Sequence, residues 1–168
     1  MEATKRAPLQ LLPFQLSLRI RHPSIDPATI SKELRIEPEH SFRAGQPRHS
    51  RSGVAPSAVH TESYWLAELN PGTWFQNPSI TDPHNFSVPR ESIDAAVPWT
   101  LAWALRLCAV RFTKSHGALL QTLRSQGGEI SLLVTLSPTS VTGFGLAPEI
   151  SRIFGELGIT LEFEITND

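Results

Sequence analysis

Two segments at opposite ends of the 168-residue chain alternate strictly between apolar and polar side chains. They are residues 14–21, FQLSLRIR, and residues 159–166, ITLEFEIT. This period of two predicts β-strands with one buried and one hydrated face, because successive side chains of a strand point to opposite sides of the sheet. The hydrated face is basic in the first strand, as at Arg19, and acidic in the last, as at Glu162. Opposite charges on neighbouring strands stabilise their pairing by about 0.2–1 kcal/mol, so we predict that the two strands are adjacent.

Two short helices with similar beginnings are predicted next to these strands. Asp26 is a typical N-cap residue, and Pro27 takes the first helical position, where a missing backbone N–H is tolerated. The second helix is predicted to begin at Pro148 and to be closed by Gly158, a residue type that often ends helices. Each helix leads into a strand, which favours two halves with a β-α-β-like order.

The middle of the chain alternates further strands and helices. The pattern predicts strands over 40–44, 62–69 and 129–136, and helices over 92–112 and 115–126, with Ser115 as the N-cap of the last. Bulky side chains on both faces of the 62–69 strand indicate a central position. Helices that cover one face of a mostly antiparallel sheet bury every apolar stripe. We therefore predict an α+β fold, either ferredoxin-like or a duplicated split β-α-β arrangement.

Composition indicates one globular domain. Apolar residues make up 40% and charged residues 18% of the chain, which is typical of a chain that buries a core rather than of a disordered one. The domain is predicted over 14–168, after a flexible N-terminal segment of residues 1–13. Clustered prolines and glycines predict long loops over 45–61 and 70–89. The N-terminal stretch lacks the uninterrupted apolar core of a signal peptide, so the expected location is the cytoplasm.

Five segments carry a likeness to a known family. They are 18–31 (LRIRHPSIDPATIS), 38–45 (PEHSFRAG), 62–65 (ESYW), 128–133 (GEISLL) and 157–165 (LGITLEFEI). In this order they resemble the bacterial family called domain of unknown function 4279, over nearly the whole of residues 14–165. The resemblance implies a small bacterial α+β domain. The family carries no established activity, cofactor or catalytic residue, and the 70–89 region looks longer than in a minimal member.

The loop predicted over 45–61 belongs to an arginine-rich region without an acidic residue between Glu39 and Glu62. Guanidinium groups bind phosphates and carboxylates through paired hydrogen bonds, and a nearby aromatic ring could stack on a nucleic-acid base. The region is therefore either a site for an anion or single-stranded nucleic acid, or an ordinary solvated loop. A net charge of −1 argues against nucleic acid, whose affinity depends largely on phosphate neutralisation. The candidate ligand-binding residues are Arg43, Arg48, His49, Arg51 and Trp65.

The helix predicted over 92–112 is apolar around most of its circumference, so it needs burial on more than one side. The stripe expected in the core consists of Leu101, Leu105, Cys108 and Phe112. Cys108 is accordingly predicted to be a packing residue rather than a nucleophile. The segment is too short and too charged to span a bilayer. A second stripe either packs in the core or forms an interface with a partner protein or a second copy of the chain. The candidate interface residues are Trp99, Trp103 and Val110.

Motifs for catalysis or metal binding are not found in the sequence. The chain has one cysteine and six histidines, and the histidines lack the close spacings of metal ligands. No serine or cysteine lies in a nucleophile motif. We therefore expect no metal and no cofactor, and a non-enzymatic module of a bacterial cytoplasm that acts by protein–protein contact. The alternatives are a binder of anions or single-stranded nucleic acid, and an enzyme with an unrecognised site between the regions 40–60 and 70–89.

Overall fold

The computed structural model describes residues 14–48, 58–69, 101–136 and 145–165. The strands are β1 (Phe14–His22), β2 (His40–Phe42), β3 (Ser63–Glu68), β4 (Glu129–Leu136) and β5 (Ile159–Ile165). The helices are α1 (Pro27–Leu34), α2 (Leu101–Arg111), α3 (Gly117–Ser125) and α4 (Pro148–Leu157), and a π-helical turn (Phe112–His116) joins α2 to α3. Within the described ranges, no helix is long and apolar enough to cross a membrane. The predicted segment 1–13, the loop over 70–89 and residues 49–57 lie outside the described residues.

Over the described part of the chain, the strands form one five-stranded open sheet in the order β2-β3-β1-β4-β5. The pairs β2–β3, β3–β1 and β1–β4 are antiparallel, and the pair β4–β5 is parallel. Helices α1, α3 and α4 pack against the sheet. The predicted α+β class and the mostly antiparallel sheet are therefore confirmed. The predicted central position of the third strand is also confirmed, because β3 lies between β2 and β1.

The predicted adjacency of the first and last strands is wrong, because β4 lies between β1 and β5. Three consecutive β4 residues, Ile130 to Leu132, are buried, and a strand buried on both faces takes an inner position. The charge complementarity behind the prediction nevertheless exists. The guanidinium of Arg19 on β1 reaches over β4 and binds the carboxylate of Glu162 on β5. It passes Ser131, whose Oγ accepts a hydrogen bond from Arg19 Nη2 at 3.4 Å.

Two β-α-β units build most of the sheet. Helix α1 joins β1 to β2, which run parallel with β3 between them, and α4 joins the adjacent parallel strands β4 and β5. Each helix has a proline in its first turn and ends at a residue in the left-handed region, Arg35 with φ 56° and Gly158 with φ 65°. The predicted cap of α1 is confirmed, since the backbone N–H of Ala28 donates to Asp26 Oδ1 at 2.9 Å. The first unit is split, because β3 lies between its two parallel strands. The second unit is not split, because its strands β4 and β5 are direct neighbours.

The core lies between the sheet and the helices. Every second residue of β1, from Phe14 to His22, is buried, as the alternating sequence predicts. The stripe predicted on α2 is buried as well, including Leu105 and Cys108. The predicted N-cap Ser115 is wrong, because it lies inside the π-helical turn and α3 begins at Gly117 without a side-chain cap.

The turn that follows β1 contacts the turn between α3 and β4 at one end of the sheet. His22 is buried, and its Nδ1 accepts hydrogen bonds from the backbone N–H groups of Ser24 and Ile25 at 3.1 and 2.9 Å. Gly128, between α3 and β4, packs directly against this imidazole. A Cβ atom at position 128 would lie 2.7 Å from the carbonyl oxygen of Leu123 and 3.0 Å from His22 Cδ2. This contact is a steric requirement for glycine at position 128.

We predict that Gly128→Ala destabilises the protein by about 1–3 kcal/mol, because the new methyl group overlaps backbone that cannot move freely. The matched control is Gly155→Ala in α4, where a Cβ meets nothing within 4 Å. That variant should gain up to about 1 kcal/mol from helix propensity. Urea unfolding of both variants measures the difference, and equal effects would contradict the packing argument.

We predict that Glu162→Gln lowers stability by about 1 kcal/mol at neutral pH, since one partly buried ion pair is lost. The hydroxyl of Ser131, together with Arg19, holds the pKa of the Glu162 carboxyl below its ordinary value. A depressed carboxyl pKa stabilises the fold above the unfolded value near 4.3 and loses this effect as the pH falls. The difference between wild type and variant, measured by urea unfolding from pH 7 to pH 3, should therefore shrink on acidification. A difference independent of pH would argue against the ion pair.

Candidate functional sites

The arginine-rich region is folded where the structure describes it. Residues 43–48 run antiparallel to residues 58–60, and we call these two segments the arch. Backbone hydrogen bonds of 2.8–3.0 Å join Gly45 to His60, Arg48 to Ala58 and His60 to Gln46. Gly45 has φ 82°, a left-handed conformation that favours glycine in a tight turn. Backbone hydrogen bonds therefore hold the described part of the loop, and most of its residues are exposed.

Side-chain bonds fix the base of the arch. The backbone N–H of Arg43 donates to Gln46 Oε1 at 2.9 Å, and that of Ala44 donates to Ser63 Oγ at 3.0 Å. The Arg43 guanidinium extends toward α1 and pairs with Asp26 Oδ2 at 3.3 Å. Through this ion pair the arch and the N-terminus of α1 enclose a common space.

An open cleft of about 900 Å³ lies between α1 and the arch, and we call it the α1–arch cleft. Its charged lining residues are Asp26, Lys32, Arg35, Glu37 and Arg43. Its polar lining residues include Ser31, Ser41 and Gln46. The cleft therefore combines three cations with two carboxylates and several neutral donors.

The structure places the predicted anion-binding residues in different environments. Arg43 lines the α1–arch cleft, whereas Arg48 is exposed on the arch and does not line it. His49 and Arg51 lie outside the described residues. Trp65 is fully buried, and its Nε1–H donates to Ser31 Oγ at 2.9 Å. The predicted stacking role of Trp65 is therefore wrong, because its side chain belongs to the face of β3 that packs on α1.

Aromatic side chains instead meet on the other face of the sheet. Phe42 stacks on His60 with ring centroids 3.7 Å apart, and on Tyr64 with centroids 5.1 Å apart. Because successive residues of a strand face opposite sides, the Tyr64–Trp65 pair puts one ring in this cluster and the other in the core. The sequence placed Trp65 near the arginines but did not show which face of its strand is buried.

A second concavity is a groove of about 1030 Å³ between α2, the π-helical turn, α3 and α4, and we call it the α2–α4 groove. Its apolar lining comes from both walls. These residues are Ala102, Trp103, Val110, Leu146, Ala147, Ile150, Ile153 and Leu157. Trp103 and Val110 are half-buried rather than enclosed in the core. The second stripe predicted on this helix thus lines the groove as far as the structure describes it, and Trp99 lies outside the described residues.

Charged side chains surround this apolar lining. The basic ones are Arg106, Lys114, Arg124 and Arg152, and the acidic ones are Glu149 and Glu156. Arg152 and Glu156 pair with each other one helical turn apart, at 2.6 Å. Among the described lining residues, the groove therefore has an excess of positive charge.

Two titratable groups near the groove have shifted pKa values. Burial raises the pKa of the Cys108 thiol well above its ordinary value, which disfavours its thiolate form. Burial and the neighbouring Arg111 lower the pKa of His116 in the π-helical turn. Among the described residues, no group of three or more histidine, cysteine, aspartate or glutamate side chains could hold a metal ion.

Comparisons with known proteins do not add a relative. No family model, no curated protein and no solved structure matches the chain. The resemblance to the domain of unknown function 4279 family therefore stays a prediction.

Sequence reasoning missed two cations of the α1–arch cleft. Lys32 lies on α1, Arg35 is the left-handed residue directly after this helix, and both line the same cleft as Arg43, which is distant in sequence. Helical spacing did not reveal this pair, because Arg35 lies beyond the last helical residue. Their approach to Arg43 depends on the strand order, which the sequence did not determine.

We predict that Trp65→Phe lowers stability by about 1 kcal/mol through loss of the hydrogen bond to Ser31. Ser31→Ala should have a similar effect, and the double variant should cost less than the sum, because both changes remove one interaction. Urea unfolding of the four proteins measures the coupling. Strict additivity would show that the two side chains do not interact.

Proposed function

We propose that this chain is a protein-interaction module that binds an amphipathic, acidic helix of a partner protein in the α2–α4 groove. The observation that carries the proposal is the position of Trp103 and Val110. They face a groove whose other wall, formed by Ile153 and Leu157, is also apolar. Grooves of this kind accept the apolar face of a helix, with anchors at i, i+3, i+4 and i+7.

The charge around the groove supports an acidic partner. The four basic lining residues, Arg106, Lys114, Arg124 and Arg152, outnumber the two acidic ones, Glu149 and Glu156. Complementary charge at the edge of an interface speeds encounter and disfavours wrong partners. An acidic flank on the incoming helix would meet these cations, and a basic flank would be repelled.

The proposal can be tested with two synthetic helical peptides that share leucines at positions i, i+4 and i+7. One carries glutamates on its flanks and the other carries lysines. We expect the acidic peptide to bind the full chain at least about tenfold more tightly by fluorescence anisotropy, as electrostatic complementarity requires. Equal affinities, or binding of neither peptide, would contradict the proposal.

Variants locate the binding surface. Val110→Glu and Ile153→Glu place a charge on each apolar wall and should each reduce acidic-peptide binding by about tenfold or more. Ser151→Glu is the matched control, because Ser151 is an exposed residue of α4 outside the groove lining. Light scattering of the unliganded chain tests whether a second copy of the chain occupies the groove instead. A dimer broken by Val110→Glu but not by Ser151→Glu would assign the groove to a second copy and overturn the proposed partner.

A further inference from the structure

We infer a second binding site, independent of the α2–α4 groove. The α1–arch cleft binds the phosphate group of a small phosphorylated molecule. Lys32 lines this space from α1, Arg35 from the residue directly after α1, and Arg43 from the arch. Arginine binds phosphate oxygens through two parallel hydrogen bonds, and lysine adds a point charge. Cations from two separate elements thus line one concave surface.

Neutral donors complete the set. Gln46 Oε1 already accepts the backbone N–H of Arg43, which leaves the Gln46 amide NH₂ as a donor. Ser31 Oγ accepts the indole N–H of the buried Trp65, so the Ser31 hydroxyl hydrogen is available to another acceptor. Ser41 adds a second hydroxyl to the lining. A phosphate monoester has three terminal oxygens, which matches a site rich in donors.

Asp26 regulates access to Arg43. One carboxylate oxygen caps α1 by accepting the N–H of Ala28, and the other pairs with Arg43 at 3.3 Å. An incoming dianion therefore competes with one carboxylate oxygen for the guanidinium, while the cap keeps Asp26 in place. Because both partners of this ion pair are about half exposed, their interaction is weak enough for a dianion to displace.

The shape of the cleft favours a small ligand over a nucleic-acid strand. A volume of about 900 Å³ is within the range of sites for small molecules. A single-stranded nucleic acid needs a long basic groove with exposed aromatic platforms. Trp65 is buried here, and the ring of Phe42 is stacked on His60 and Tyr64.

The test is a titration of the full chain with inorganic phosphate at low salt, followed by amide NMR shifts and calorimetry, with acetate as the carboxylate comparison. We expect saturable binding with shifts concentrated on α1 and the arch. Arg35→Gln and Arg43→Gln should each weaken phosphate binding by about tenfold, as the loss of a charge-assisted contact predicts. Arg48→Gln is the matched control, because Arg48 is exposed on the same arch outside the cleft, and its affinity should change less than about twofold.

Asp26→Asn should raise the phosphate affinity, whereas Arg35→Gln and Arg43→Gln should lower it. Asparagine keeps the N-cap acceptor but removes the charge that competes for Arg43, so phosphate affinity should rise by about two- to fivefold. No saturable binding below about 10 mM phosphate, equal binding of acetate, or an equal loss in Arg48→Gln would overturn the inference. Peptide binding in the α2–α4 groove is measured separately, so failure at one site does not affect the other.

Discussion

The arrangement of the molecule depends on the burial of one face of strand β1. Its apolar residues lie against the helices, and both of its edges are bonded to antiparallel neighbours, β3 and β4. A strand held on two edges and one face has little freedom in register, because a shift by one residue would move its whole apolar set to the other side. Both candidate sites derive from this arrangement. Helix α1 and the arch are positioned from the β3 side, and the α2–α4 groove lies above the β4 side.

Local patterns predicted most elements, because alternation and capping are properties of contiguous residues. Asp26, Pro27 and Gly158 have the predicted helix-end positions. Strand order is a nonlocal property, and the charge pattern led to the wrong prediction that the first and last strands are adjacent. Arg19 and Glu162 do attract each other, but the long guanidinium side chain spans an intervening strand whose residue beneath it is the small Ser131. An ion pair between two strands therefore does not establish that they are hydrogen-bonded neighbours.

The candidate sites were predictable only in part, for the same reason. Arg43, Trp103 and Val110 stood out by composition and period, and each lines a concave surface. Trp65 stood out equally and is buried, because one position along a strand decides between core and surface. Lys32 and Arg35 at the C-terminal end of α1, and Ile153 and Leu157 on α4, line their sites together with residues distant in sequence. No periodicity within a single segment contains that information.

Helix α4 has two roles at once, since it is one wall of the α2–α4 groove and the crossover between the parallel strands β4 and β5. Strand β5 ends the described sheet, and its last residues, Phe163 and Ile165, are exposed. Edge elements with few buried contacts open first in local unfolding. A molecule seated in the groove holds α4 in place and thereby resists opening of the C-terminal strand. A molecule bound in the α2–α4 groove would thus slow amide hydrogen exchange along β5, although it does not touch the sheet's edge.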